Sequence, residues 1–161
     1  MNSVGYPWIA AHEQAPAVAA LLCEFRDWWG KDEPDDEQML DSVEHIMGGR
    51  DGEYLLAAGP DAVTTDDPVG VAQLRYRWSV WQTGYDCWLE DLYVRESARG
   101  CGVGRALVLG AVDVASSRGC RRIELDVNED NEAARALYEA CGFSFEPKPP
   151  GRTLFIAQNL R

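Results

Sequence analysis

Positions 94–106 read Val94-Arg95-Glu96-Ser97-Ala98-Arg99-Gly100-Cys101-Gly102-Val103-Gly104-Arg105-Ala106. An apolar strand end, three alternate glycines and a helix start, in that order, suit the holding of an anion. The glycines let the main chain approach a ligand closely. The first amides of a helix are unpaired and carry partial positive charge, which matches a diphosphate. Arg99 and Arg105 would add charge-assisted contacts. Two other glycine-loop chemistries fail on residue identity. A Walker loop needs Lys followed by Ser or Thr after the glycines, and none follows here. A dinucleotide fingerprint needs glycine where Arg105 or Leu107 stands.

Just upstream, Glu90 and Asp91 are consecutive in Cys87-Trp88-Leu89-Glu90-Asp91-Leu92-Tyr93-Val94, a strand otherwise apolar or aromatic. Carboxylates there are costly unless they serve a purpose. The chemistry they suit is deprotonation, because an alkylammonium with a pKa of about 10 has no lone pair until a base takes its proton. Successive strand side chains point to opposite faces, so the two acids are expected to do different jobs. Glu90 is read as the base, directly or through a water, and Asp91 as a holder of a cationic acceptor. Tyr138 offers a phenol, yet Ala134, Leu137, Tyr138 and Cys141 recur at helical spacing, which by itself describes a core stripe. His12 and His45 are isolated, and the five cysteines include no C-x-x-C pair, so no metal is expected.

These residues need elements to position them. A short apolar strand at 6–11 precedes a helix carrying Val18, Leu21, Leu22 and Phe25 at helical spacing, with Pro16 in its first turn. After Trp28-Trp29, Gly30 and the acidic run 31–37 mark a loop leading to a second helix at 38–47, closed by Gly48-Gly49. Strands follow at 53–58 and 69–81, then a turn at Gln82-Thr83-Gly84 and the strand 87–94. The periodicity of Val103, Ala106, Leu107, Ala111 and Val114 predicts a helix to about 118, stopped by Gly119. A strand at 122–127, a helix at 131–141 capped by Gly142, and a strand pair at 143–145 and 153–158 complete the order. One domain over residues 1–161 is expected, of the α/β class, with helices on both faces of a mixed sheet.

Acidic residues outnumber basic ones 27 to 15, a formal charge of −12. Over most of its surface such a chain repels nucleic acid and anionic lipid, so neither is expected as a partner, and a cationic partner is favoured. No apolar run approaches the roughly 20 residues of a spanning helix, and no basic-then-apolar leader opens the chain. With scattered, unpaired cysteines this predicts a cytoplasmic protein with reduced thiols.

The loop matches Gln/Arg-x-x-Gly-x-Gly/Ala through Arg99, Gly102 and Gly104. It is flanked by Leu89-Glu90-Asp91-Leu92-Tyr93-Val94 before it, and by Asn131-Glu132-Ala133-Ala134-Arg135-Ala136-Leu137-Tyr138 with Gly142-Phe143 after it. Together these segments resemble the GNAT acetyltransferase family, over most of the chain but with specific motifs only in 87–143. The resemblance implies the GNAT fold, a central mixed and mostly antiparallel β-sheet of about six to seven strands flanked by about four helices. It also implies transfer of an acetyl group from acetyl-CoA to a primary amine. In that family's layout the strand backbone at Leu92, Tyr93 and Val94 binds the pantetheine arm. Arg99, Gly100, Cys101, Gly102, Val103, Gly104 and Arg105 hold the pyrophosphate, and Asn131 steadies the arm. Tyr138 is the acid that protonates departing coenzyme A, and an amide at Leu92 stabilises the oxyanion. The acceptor site falls on the first two helices and the aromatic hairpin, here Trp28, Trp29, Tyr76 and Trp81 with Asp91. The stretch 76–102 is similar to the spermidine/spermine (diamine) acetyltransferase branch, which implies a polyamine, diamine or amino-sugar acceptor. Protein or peptide acetylation and a non-catalytic acyl-CoA-binding module are the alternatives. A homodimer is implied as common in the family.

Overall fold

The computed structural model describes residues 5–62, 65–145 and 156–160. A two-residue strand β1, Trp8–Ile9, precedes helix α1, Ala15–Trp28. Proline in the first turn of α1 and the left-handed Gly30 (φ 66°) after it bound that helix as the sequence predicts. Helix α2, Asp36–Met47, begins two residues earlier than predicted because Asp35 is its cap. The Asp35 carboxylate accepts the Gln38 N–H at 2.9 Å while the Gln38 side chain accepts the Asp35 N–H at 3.1 Å. That reciprocal pair turns part of the acidic run into a helix start contributing about 1 kcal/mol.

Strands β2 (Gly52–Ala58), β3 (Pro68–Ser79) and β4 (Gly84–Val94) follow, then helix α3 (Val103–Ser117), strand β5 (Arg122–Glu124) and helix α4 (Glu132–Ala140). The sheet runs β1-β2-β3-β4-β5; its first three pairings are antiparallel, and β4 with β5 is parallel. Alternation sorts the strand residues onto two faces. Leu55, Ala72, Leu74 and Leu89 pack with Val103, Leu107 and Val108 of α3. Tyr54, Leu56, Val71 and Tyr93 pack with Val18, Leu21 and Val43 of α1 and α2.

The mixed sheet and four α-helices are as predicted, and the described residues hold five strands where six or seven were expected. The first strand contracts to its paired residues, although the Ala10 N–H still donates to the Tyr54 carbonyl at 2.8 Å. The strand predicted at 122–127 pairs only to Glu124. Residues 143–145 and 156–158 are not in strands, and 153–155 lie outside the described residues. At Phe143 the reason is local. Gly142 is left-handed (φ 93°), and the Phe143 N–H donates to the Tyr138 carbonyl at 3.0 Å, so this amide closes α4 and does not extend a ladder.

Close approach of α3 to the sheet is set at Gly70 of β3. A Cβ there would meet Leu107 Cδ1 at 2.9 Å and Val103 Cγ1 at 3.0 Å. Both side chains are fully buried, so neither can swing away. Gly70→Ala is expected to lower unfolding free energy by about 1–3 kcal/mol. Gly59→Ala, whose Cβ would meet only Val69 at 3.8 Å, should change it by less than about 0.5 kcal/mol. Denaturant titration of both variants checks this; equal losses would rule out α3 contact as the cause.

Candidate active site

The parallel ladder between β4 and β5 covers Asp86, Cys87 and Trp88 against Arg122, Ile123 and Glu124, and then stops. Strand β4 continues six residues further along β3, so among the described residues its second half has a free edge where β5 has departed. The direction of its main-chain groups follows from one bond: the Arg95 N–H donates to the Val69 carbonyl on β3 at 2.8 Å. Main-chain groups of an antiparallel pair alternate, so those of Tyr93 also face β3, while those of Leu92 and Val94 face the gap. Leu92 and Val94 therefore offer amides to a ligand lying between the strands. Tyr93 does not: its main chain is turned away and its ring stacks on Phe25 at 5.3 Å within the α1 side of the core.

The glycine loop lies at the end of this gap. Gly100 (φ 74°) and Gly102 (φ 90°) are left-handed, a conformation that costs other residues 1–2 kcal/mol. Gly102 is the N-cap of α3 and no side chain caps the helix, so the first amides of the helix, at Val103, Gly104 and Arg105, have no intrahelical acceptor. The loop fits a diphosphate: two positive-φ glycines, a 15-residue helix and uncapped first-turn N–H groups. Val103 contributes main chain only, its side chain being buried in the core. Arg105 and Cys101 are exposed beside the loop. Arg99 is turned back from it. Its Nε donates to the Val94 carbonyl at 2.9 Å and its guanidinium lies over the rings of Trp28 (5.5 Å) and Tyr93 (5.8 Å). Trp28 is thus a neighbour of the loop and does not line the cavity described below.

Strand alternation predicts opposite faces for Glu90 and Asp91, and the structure corrects this. Gln73 pairs with Asp91 and Leu74 with Leu89, leaving Glu90 as the extra residue of a β-bulge. Glu90 Oε2 accepts from Gln73 Nε2 at 2.7 Å and lies 3.9 Å from Arg75 Nη1, while Asp91 shares a cavity wall with Gln73 and Tyr54. The bulge therefore presents both carboxylates to the α1–α2 side. Burial, then the charges of Glu90 and Asp126, raise the Asp91 carboxyl to about 6, opposed by the Lys31 ammonium. Tyr54 is raised by burial and then by Asp91 and Glu90, which places its phenol beside the same pair.

Across the gap, Tyr138 is buried against Phe143, with ring centroids 5.8 Å apart. Burial raises its phenol, as do Asp126 and Cys141, so Asp126 is an electrostatic neighbour of both Tyr138 and Asp91. Asn131 caps α4, its Oδ1 accepting the Ala134 N–H at 3.1 Å, which leaves the amide nitrogen to face outward.

A cavity of about 220 Å³ lies between α1, the α1–α2 loop, α2 and the sheet, with Trp29, Lys31, Glu33, Tyr54, Gln73 and Asp91 among its walls. Of the predicted acceptor residues it collects Trp29 and Asp91. Tyr76 is excluded because it points to the α3 face, where its hydroxyl meets Glu53 at 2.5 Å and Arg118 stacks on its ring. Trp81 is 93% exposed in the turn between β3 and β4, and lines nothing. Tyr54, Gln73, Lys31 and Asp126 were missed by sequence reasoning. The one signal for the first two was a polar group at an inward strand position, legible only once the faces are known.

A carboxylate raised in the folded state binds its proton more tightly there than in the unfolded chain. Stability should therefore fall as pH rises from the ordinary carboxylate range through about 6, and stay at the lower level above. Asp91→Asn removes this penalty. It is expected to stabilise the protein by up to about 3 kcal/mol at pH 8 and by much less at pH 4.5, read as melting temperature at the two pH values. Equal gains at both would refute the raised carboxyl.

The profile of the Acetyltransferase (GNAT) family matches residues 17–143. An aminoglycoside N(6')-acetyltransferase type 1 from Stenotrophomonas maltophilia is 30% identical over 136 residues, 81% of this chain and 83% of that one. A thialysine N-epsilon-acetyltransferase from Bos taurus is 35% identical over 74 residues, 46% of this chain and 43% of the relative. A crystal structure from Arthrobacter sp. FB24, taken to be an acetyltransferase, superposes with a TM-score of 0.82 at 33% identity, covering 98% of this chain and 97% of the other. Among the described residues no helix is long and apolar enough to cross a membrane, and no cluster of metal-ligating side chains is present. With the matched region spanning the free edge of β4, the glycine loop and α4, the chain belongs to the GNAT acetyltransferase family and is an acetyl-CoA-dependent N-acetyltransferase.

Proposed function

We propose that the protein acetylates the primary amine of a small cationic compound, a polyamine, diamine or amino sugar, whose ammonium arm enters the cavity in front of Asp91. The observation that carries this reading is the cavity itself. It has the half-buried Asp91 carboxylate in its wall, an aromatic face in Trp29 and a second carboxylate in Glu33, which is the chemistry that attracts an alkylammonium. At about 220 Å³ it is smaller than the 300–1,000 Å³ usual for whole drug-sized ligands, so it suits an amine-bearing arm with the rest of the acceptor outside. Relatives named for aminoglycoside N(6') and thialysine N-epsilon acetylation are consistent with an amine on such an arm.

Acetyl-CoA, when bound, supplies an acetyl thioester whose sulfur leaves readily, a thiol having a pKa near 8.5. The Leu92 and Val94 main chain holds the pantetheine amides, the amides from 99 to 105 hold the diphosphate, and the amide nitrogen of Asn131 steadies the arm. The Leu92 N–H stabilises negative charge developing on the acyl oxygen. Asp91 accepts the ammonium proton. Glu90, held by Gln73 and Arg75, is its charge partner and keeps it basic near neutral pH. Tyr138 delivers a proton to the departing sulfur. A cytoplasmic homodimer belongs to the same reading, supported by five free cysteines and by the exposed Trp78, Val80 and Trp81 at one hairpin end.

A thiol-release assay over amines, aminoglycosides and peptides tests the function. Turnover on small amines is expected; turnover confined to peptides, or none with intact coenzyme A binding, overturns it. Asp91→Asn should cost at least about a hundredfold in kcat/KM. Glu90→Gln should keep activity but move the acidic limb of the pH profile to lower pH, because the charge that raises Asp91 is gone. If Glu90→Gln abolishes the limb and Asp91→Asn retains it, Glu90 is the base. Tyr138→Phe should lower kcat about tenfold to a hundredfold, with coenzyme A affinity unchanged by titration calorimetry.

A further inference from the structure

The acceptor cavity already contains a cation belonging to the protein. Lys31 follows Gly30 in the turn that leaves α1, and its N–H donates to the Arg26 carbonyl at 3.2 Å, which ties the turn to the helix. From there its side chain crosses Trp29, with Nζ 4.6 Å from the ring centroid. Lys31, Trp29, Glu33 and Asp91 all line the one cavity. Arg26 also lines it but is committed elsewhere, to Asp27, Asp36 and the Pro34 carbonyl. Lys31 is therefore the cation with freedom to answer Asp91 among the described residues. It is also a primary ammonium on a four-carbon stem, chemically the same object as one end of a small diamine.

We propose that Lys31 is a built-in occupant of the acceptor site, its ammonium resting on Trp29 where the acceptor's ammonium is to bind, and that it sets the affinity threshold of the site because every acceptor must displace it. This rests on the amine-acceptor reading above. A tethered competitor acts at high effective concentration yet holds weakly, so it can be exchanged. A monoamine that displaces Lys31 regains only what Lys31 gives up. A diamine gains a second attraction, because its other ammonium meets the acidic rim at Glu33. Lys31 thus weakens every acceptor by one factor, and the second attraction at Glu33 is what lets a dication still bind.

The charged and titratable groups around Asp91 are Glu90 on its own strand, Tyr54 on β2, Arg75 on β3 (taken up by Glu90 and the Asp51 carbonyl), Asp126 beyond β5, Glu33 and Lys31 in the α1–α2 loop, and Arg26 on α1. Of the charges acting on Asp91, Lys31 favours the ionised carboxylate, while Glu90 and Asp126 oppose it. Removing Lys31 should therefore strengthen amine binding and make Asp91 harder to ionise. The opposite is expected of a residue that merely contributes to binding.

The test compares wild type, Lys31→Gln and Lys31→Arg with butylamine and 1,4-diaminobutane, by thiol release with acetyl-CoA and by calorimetric titration of the amine alone. Lys31→Gln should lower KM and Kd roughly threefold to tenfold, by the same factor for butylamine and for the diamine. The acidic limb of its pH profile should move to higher pH, and Lys31→Arg should restore wild-type values in every readout. A raised or unchanged butylamine KM in Lys31→Gln, or Lys31→Arg behaving as Lys31→Gln, overturns the proposal while leaving the amine-acceptor reading intact if wild type turns the amines over. Absence of both binding and thiol release in all three proteins overturns both.

Discussion

The structure depends on the parting of β4 from β5 after Trp88 and Glu124. Buried main-chain amides and carbonyls are almost always paired, so a half-strand left with one free edge inside an α/β sheet has to be satisfied by something else. The protein itself fills one place, the Val94 carbonyl, with the Arg99 side chain. The Leu92 main chain and the Val94 amide face the gap, where the proposed reading puts the co-substrate. Everything else in the site is arranged along the two lips of this gap. The glycine loop stands at its end, the bulged carboxylates lie on the β4 lip, and Tyr138 lies on the other side, with Asp126 coupled to both.

The bulge at Glu90 is the second constraint, and it follows from the first. A regular strand would send one acid towards α3, into a cluster built largely of apolar side chains, Leu74, Leu89 and Leu107 among them. One extra residue turns both acids to the α1–α2 side, where Gln73, Arg75 and Tyr54 can meet them. Burial, and after it the charge of Glu90, then raise Asp91, which is what a base working near neutral pH needs. A single irregularity thus places the carboxylates and tunes one of them.

How much of this was legible in the sequence follows from how local each signal is. The helices declared themselves through Pro16, Gly30, Gly119 and Gly142, and the loop through its glycines, because left-handed backbone and capping leave marks within a few residues. The bulge left no such mark. It is a property of the pairing with β3, so period-two reading put Glu90 and Asp91 on opposite faces. The same long-range dependence misplaced Tyr76, whose aromatic character suited an acceptor site but whose register faces α3, where it carries the Glu53–Arg118 pair. Trp81 looked equally suitable, yet it sits in a turn with no opposing element. Asp126 and Lys31 acquire meaning only from elements distant in sequence.

A chain with 27 acidic and 15 basic residues is an unexpected binder of a diphosphate, and its ion pairs explain how the two fit together. Arg95 is held by Glu24 and Asp67, Arg118 by Glu53, Arg122 by Asp86 and Glu124, and Arg26 by Asp27 and Asp36. These arginines neutralise structural carboxylates and are not spare for a ligand, while Arg99 is turned back onto Val94 and two rings. In the proposed reading anion binding falls to the amides of the glycine loop and the dipole of α3, with Arg105 exposed beside them. On that reading the acceptor side is free to stay acidic, and one sheet serves two ligands of opposite charge, the anion at a helix end and the cation at the carboxylates of the bulged strand.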